Sequence, residues 1–225
     1  MKLTMSLLTF FMAWCFLLNG VRAEEAQSVE KGPTEEVKQI LLEAAGQAVQ
    51  IASQQNAYYS NEKIKIPFPP DLDDVQTQLS RAGEETAAQV TESVRLLNAV
   101  ADEAAKSVGP LLQKAVTDLT IDDASAILAG DSSAATDYFK KKSESLKYSY
   151  KPTIQDAMNK VGIQKVWDPL LVVYSDLAEN DPVVARNDPE NVPEGFDLNF
   201  YLSERAMAGL YILMGEVEAK IRAKQ

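Results

Sequence analysis

Apolar positions recur every three or four residues along most of this chain, and the interruptions mark where its helices stop. Val37, Ile40, Leu41, Ala44, Ala45, Ala48, Val49 and Ala52 keep a 3.6-residue period, which predicts an amphipathic helix opened by Gly32-Pro33-Thr34 and two glutamates. Asn56 to Asn61 ends it. From Ile64, the segment IKIPFPPDL alternates apolar and polar positions until its prolines forbid either a helix or a central strand. An extended strap is expected there, laid over the helices by Ile64, Ile66 and Phe68. A short helix over Asp71–Leu79 closes at Gly83, and the longest helix then runs from about Glu84 to Ser107. Its stripe of Ala87, Val90, Val94, Leu97, Ala101, Ala104 and Val108 is rich in alanine. Small residues let helices approach closely, so this helix is expected at the centre of the bundle with the last helix packed on it. Gly109-Pro110 marks a break before a turn or two of helix to Leu119.

The stretch LTIDDASAILAGDSSAATDYFKKKSESL, Leu119 to Leu146, reads as a helical hairpin. Thr120 is placed to cap a short helix, with Asp123 three residues on completing a capping box. Ala124, Ile127 and Leu128 face inward, and Gly130 is expected in the left-handed conformation that ends the helix. Asp131 or Ser132 then caps a second helix carrying Ala135, Tyr138 and Phe139. Tyr148, Tyr150 and Pro152 set a boundary before a helix over Ile154–Val161 that Gly162 caps. Ile163 to Leu177 is apolar nearly all round, as in a helix buried on two sides, with Pro169 bending it or sitting in its first turn. Asn180 to Gly195 holds three prolines and four acidic residues and reads as one long loop. Ser203 is the expected cap of the final helix, whose stripe is Ala206, Met207, Leu210, Leu213, Met214, Val217 and Ile221. The fold class is therefore all-α, a single domain over 34–225 of about seven to nine helices, with a Pro-rich strap and one long loop.

The first 23 residues change this picture. Met1 and Lys2 precede an apolar run from Leu3 to Leu18, followed by Val21-Arg22-Ala23 with compact residues where a signal peptidase cuts. The run is short against the ~20 apolar residues that span a bilayer, so a cleaved signal peptide is expected, a mature start at Glu24, and a flexible stretch over 24–33. A lipoprotein is the alternative, because Cys15 lies in the run, but Trp14 before it is bulkier than such a processing site prefers. Without the leader the chain has 20 basic against 33 acidic residues, no cysteine and no transmembrane anchor. An export signal with no disulfide suits a bacterial periplasm, with secretion or lipid anchoring as alternatives. The acidic balance argues against nucleic acid as a partner.

Five stretches of this sequence resemble the bacterial family known as domain of unknown function 4197. They are IKIPFPPDL from Ile64, LLNAVADEAA from Leu96, LTIDDASAILAGDSSAATDYF from Leu119, Lys160-Val161-Gly162, and the closing YLSERAMAGLYILMGEVEAKIR. The resemblance covers most of residues 36–222 and implies an exported or lipid-anchored envelope protein of helical build, with no activity to carry over. The chain departs from it in a longer loop at Asn180–Gly195.

Histidine is absent altogether, which with no mature cysteine removes Ser-His-Asp and Cys-His nucleophile systems and the usual zinc sites. No catalytic residue and no cofactor is assigned. Asp122, Asp123, Asp131 and Asp137 invite a divalent cation, but two of them sit at capping positions and the EF-hand spacing is missing, so no metal is assigned either. Asp137, inside the second hairpin helix, has Lys141 at i+4 as an expected partner. Lys140, Lys141, Lys142, Lys147 and Lys151 form the one basic cluster, either receiving an anionic partner or complementing a helix C-terminus. Glu103, Glu216 and Glu218 lie near apolar stripes, where paired carboxylates serve acid/base chemistry. The expectation is a non-catalytic binding or scaffold protein with an unknown envelope protein as partner; the alternatives are a carrier of a small apolar ligand and a carboxylate enzyme. Candidate ligand-binding residues are Tyr58, Tyr59, Asp137, Tyr138, Phe139, Lys141, Trp167 and Tyr211, whose aromatic members either line a groove or fill the core.

Overall fold

In a computed structural model, the described residues are 32–180 and 196–224. The leader expected over 1–23, the flexible stretch expected from 24 as far as Lys31, and the loop expected up to Gly195, from 181 on, lie outside them. Among the described residues there are ten α-helices, one short 3₁₀ turn at Pro70–Leu72 and no strand. The helices are α1 (Pro33–Ala52), α2 (Ala57–Ser60), α3 (Asp73–Arg81), α4 (Glu84–Ala105), α5 (Gly109–Asp118), α6 (Ala124–Leu128), α7 (Ala134–Lys142), α8 (Leu146–Val161), α9 (Gln164–Asn180) and α10 (Leu198–Arg222). That is one more than the periodicity counts, because the four-residue α2 is too short to show a period.

The long helices follow their stripes. On α1, Val37, Leu41, Ala44, Ala48 and Ala52 are fully buried, and Glu35 and Glu36 complement the positive end of the helix. The strap is present, with Ile64, Ile66 and Phe68 all buried. It stays extended because Asn98 of α4, itself buried, imitates a neighbouring strand. Its Oδ1 accepts from Ile66 N–H at 2.8 Å and its Nδ2 donates to the Ile66 carbonyl at 2.7 Å, so the buried backbone of the strap is satisfied.

Two expectations about packing and boundaries are corrected. α4 touches α1, α2, α3, α8, α9 and α10, which fits a central place, but α10 packs chiefly on α1 and α8 and meets α4 only lightly. The boundary at Tyr148–Pro152 is absent: α8 runs unbroken from Leu146 with Pro152 inside it. Proline there removes its own N–H and crowds the carbonyl of Tyr148, and the fully buried Tyr150 and Ile154 on either side hold the helix together against that cost. Pro169 likewise lies inside α9. α10 begins five residues before Ser203, because Asp197 is its N-cap and accepts from Phe200 N–H at 2.9 Å. Ser203 is buried within the helix and donates to the Asn199 carbonyl.

Candidate functional site

The hairpin of α6 and α7 is held by the far end of the chain. Asp123 caps α6 by accepting from Ala126 N–H at 2.9 Å. Thr120 is not a cap: the helix starts beyond it, and its carbonyl instead accepts from the Tyr138 hydroxyl at 2.9 Å. That hydroxyl also lies 3.1 Å from Asp122, whose carboxyl is held below its ordinary value by the hydrogen bond from Lys142. Gly130 is not left-handed, since the glycines with positive φ among the described residues are Gly83 and Gly162. It is required for another reason, because a Cβ there would stand 2.7 Å from the Ala134 Cβ where the two helices meet. Asp131 caps the turn before α7, accepting from Ser133 N–H at 3.1 Å, and not the helix itself.

The free N–H groups of α7 go to Glu218, a carboxylate 83 residues away on α10. Its two oxygens accept from Ala135 and Thr136 N–H at 2.9 and 2.7 Å. Arg222, one turn on, donates to Glu218 at 2.8 Å and through Nη1 and Nη2 to the Leu128 and Ile127 carbonyls that close α6. One Glu–Arg pair therefore caps both arms of the hairpin, and the carboxylate is fully buried. The sequence signal for this clasp was a Glu and an Arg four residues apart beside the stripe of Met214, Val217 and Ile221. Asp102 of α4 performs the same task for α2, accepting from Asn56 and Tyr58 N–H at 2.8 and 3.0 Å. Burial raises its pKa despite those two bonds.

The candidate aromatics separate into three places. Tyr58 is fully buried, donates to the Ala206 carbonyl at 2.7 Å, and lies so close to α10 that a Cβ on Gly209 would meet its ring at 2.6 Å. Burial raises the pKa of its hydroxyl, as it does for Tyr150. Tyr59 is half-buried, with the Lys65 ammonium 4.7 Å from its ring centre. Trp167 is buried between Phe68 and Phe196, at 5.2 and 6.4 Å between ring centres. Phe139 is buried edge-on to Tyr211 at 6.0 Å. Ser143 donates to the Phe139 carbonyl at 2.6 Å, so the Tyr211 hydroxyl is the donor to Ser143 Oγ at 2.9 Å. Asp137 is exposed and accepts from Ser133 Oγ at 3.0 Å; it does not pair with Lys141 as expected.

Of these candidates Asp137 and Tyr211 are brought together, on the walls of an open trough between α7 and α10. Its first half, about 370 Å³, is lined by Ser133, Thr136, Asp137 and Lys140 on one side and Tyr211, Ile212, Gly215, Glu216 and Ala219 on the other. The second half, about 360 Å³, continues past Lys140 and Tyr211 to Glu144, Lys147, Glu204, Met207 and Ala208. Half of its charges are engaged in ion pairs: Glu216 pairs with Lys63 at 2.6 Å and Lys147 with Glu204 at 2.8 Å. Lys140, at the junction of the halves, has no ion-pair partner among the described residues. The sequence placed Lys140 in the basic cluster as a candidate receiver of an anionic partner, whereas the half-exposed Ile212 did not stand out as a site residue.

The carboxylates do not converge. Glu103 is paired with Lys106 and Lys160, Glu216 with Lys63, and Glu218 is enclosed in its clasp. Among the described residues no group of three or more His, Cys, Asp or Glu side chains is placed to hold a metal ion. No described helix is long and apolar enough to cross a membrane. No curated protein and no solved structure matches the chain. A family described as "Protein of unknown function (DUF4197)" matches residues 28–225, nearly the whole length, and the chain belongs to that family.

Proposed function

We propose that this protein is exported to the periplasm and acts there without catalysis, by binding a partner through its surface. The observation that carries this is the clasp: the buried Glu218 and its partner Arg222 are committed to closing two helix ends. Tyr58, Phe139 and Trp167 are likewise committed to the packed interior. The trough along α10 is open to meet another molecule. Absence of histidine and the apolar leader of the sequence support the same reading.

A carrier role has one observation in its favour. A groove of about 380 Å³ between α1 and α5 is lined by Leu42, Ala45, Gly46, Val49, Gly109, Pro110 and Gln113, with no ionisable side chain among them. An apolar molecule would find no charge to desolvate there. Native mass spectrometry of the protein released gently from its own envelope separates the classes. A protein–protein complex is the expected result. A retained apolar small molecule would favour the carrier, and a stoichiometric divalent ion would favour an enzyme.

A further inference from the structure

We propose that the trough between α7 and α10 is the seat of an amphipathic helix of a partner protein, one whose small and apolar face carries a single acidic residue. This deepens the binding role proposed above and rests on it. The floor is a stripe on α10, Ala208, Ile212, Gly215 and Ala219, spaced as one helix face and running roughly 16 Å at the 1.5 Å rise of a helix. Ile212 stands 40% exposed between residues with almost no side chain. Such a floor lets a second backbone come close, with Ile212 as the knob between its turns. An extended segment has less to gain, because the backbone of α7 and α10 is already hydrogen-bonded within each helix and offers no edge to pair with.

Two side chains on the wall say what the occupant must bring. Lys140 is the unpaired cation where the halves join, in a chain that is otherwise strongly acidic. One carboxylate opposite it gains a charge-assisted bond, whereas more than one would meet the repulsion of Asp137 and Glu144, which no ion pair neutralises among the described residues. Thr136 lines the same wall, is 2% exposed, and its hydroxyl has no hydrogen-bond partner. Its methyl points toward Gly215, 3.9 Å from where a Cβ would be. Rotation about its Cα–Cβ bond that exchanged methyl for hydroxyl would present the hydroxyl to the trough, where a polar group of the occupant satisfies it.

The test places the photoreactive residue p-benzoylphenylalanine at Ile212 of the full chain, irradiates cells that export it, and maps the adduct by mass spectrometry. The expected adduct is to a helical segment of another protein with an Asp or Glu within a turn of the crosslink. Lys140→Glu should lower its yield about tenfold, and a Lys in place of that acid should restore it. Gly215→Ala should lower it as well. The added Cβ meets only ordinary contacts, 3.5 Å to Ser133 Cβ, so this variant keeps the fold while narrowing the floor. A lipid, a glycan, a second copy of this chain or no adduct at Ile212 overturns the proposal, as does an adduct indifferent to Lys140→Glu. Crosslinkers at Val172, a 61% exposed apolar residue of α9, and at Leu42 in the groove between α1 and α5 separate the two levels. Adducts there with silence at Ile212 leave a binding protein with a different site, and silence at all three positions removes the binding role too.

Discussion

Glu218 shows at residue scale how far a side chain's role can lie from its chemical type. On the stripe of α10 it has the look of an acid/base residue, yet its oxygens serve two backbone N–H groups and one guanidinium. Glu218→Ala strands the two buried N–H groups and takes the carboxylate from Arg222, and a loss of about 3–5 kcal/mol is expected in denaturant unfolding. Gly130 tests a different force. Gly130→Ala should cost about 1–3 kcal/mol through its clash with Ala134, and the double variant Gly130→Ala/Ala134→Gly should recover most of it, which a left-handed glycine would not allow. Thr120→Ala should be nearly neutral, while Asp123→Ala should cost about 1 kcal/mol, since the cap sits at the second position.

Elements were legible wherever the information is local. α1, α4 and α10 each repeat an apolar position every turn for five turns or more, and the strap is written in its prolines and alternating isoleucines. What closes the helices was legible only in part, because Asp102 and Glu218 reach across 46 and 83 residues and spacing along the chain carries no sign of such a pairing. Pro152 misled for a related reason: proline ends isolated helices, but burial of Tyr150 and Ile154 overrides that preference here. Pro152→Ala should therefore raise the stability of α8 by roughly 1–3 kcal/mol, seen as a higher melting temperature. The start of α10 answers to pH. Asp197, held below its usual 3.8 chiefly by the hydrogen bond from Lys151, stabilises the fold above that value. This contribution should fade as pH falls through the lowered folded value, so the stability gap between wild type and Asp197→Ala should be constant near neutrality and shrink below about pH 4. Asp102 has the opposite sign. Its raised folded value makes the fold relatively more stable in acid and less so as pH rises through that value, and Asp102→Asn should remove that slope.

At the scale of the whole molecule, the candidate site was the least legible part. Its walls come from α7, α8 and α10, and their meeting is set by packing of α10 on α1 and α8, which no local pattern encodes. The same geometry has a consequence for the order in which the chain can finish folding. Every group that closes the α6–α7 hairpin from outside sits late in the sequence, at Glu218 and Arg222. Tyr58, near the start, finds its acceptor only at Ala206. A polypeptide threaded N-terminus first through a membrane channel would emerge with these helix ends still open to water and competing for it. Completion would wait for the final helix to clear the channel. That order predicts that a version ending at Leu213 shows hydrogen exchange over residues 124–142 as fast as an unfolded peptide, while the full chain protects them.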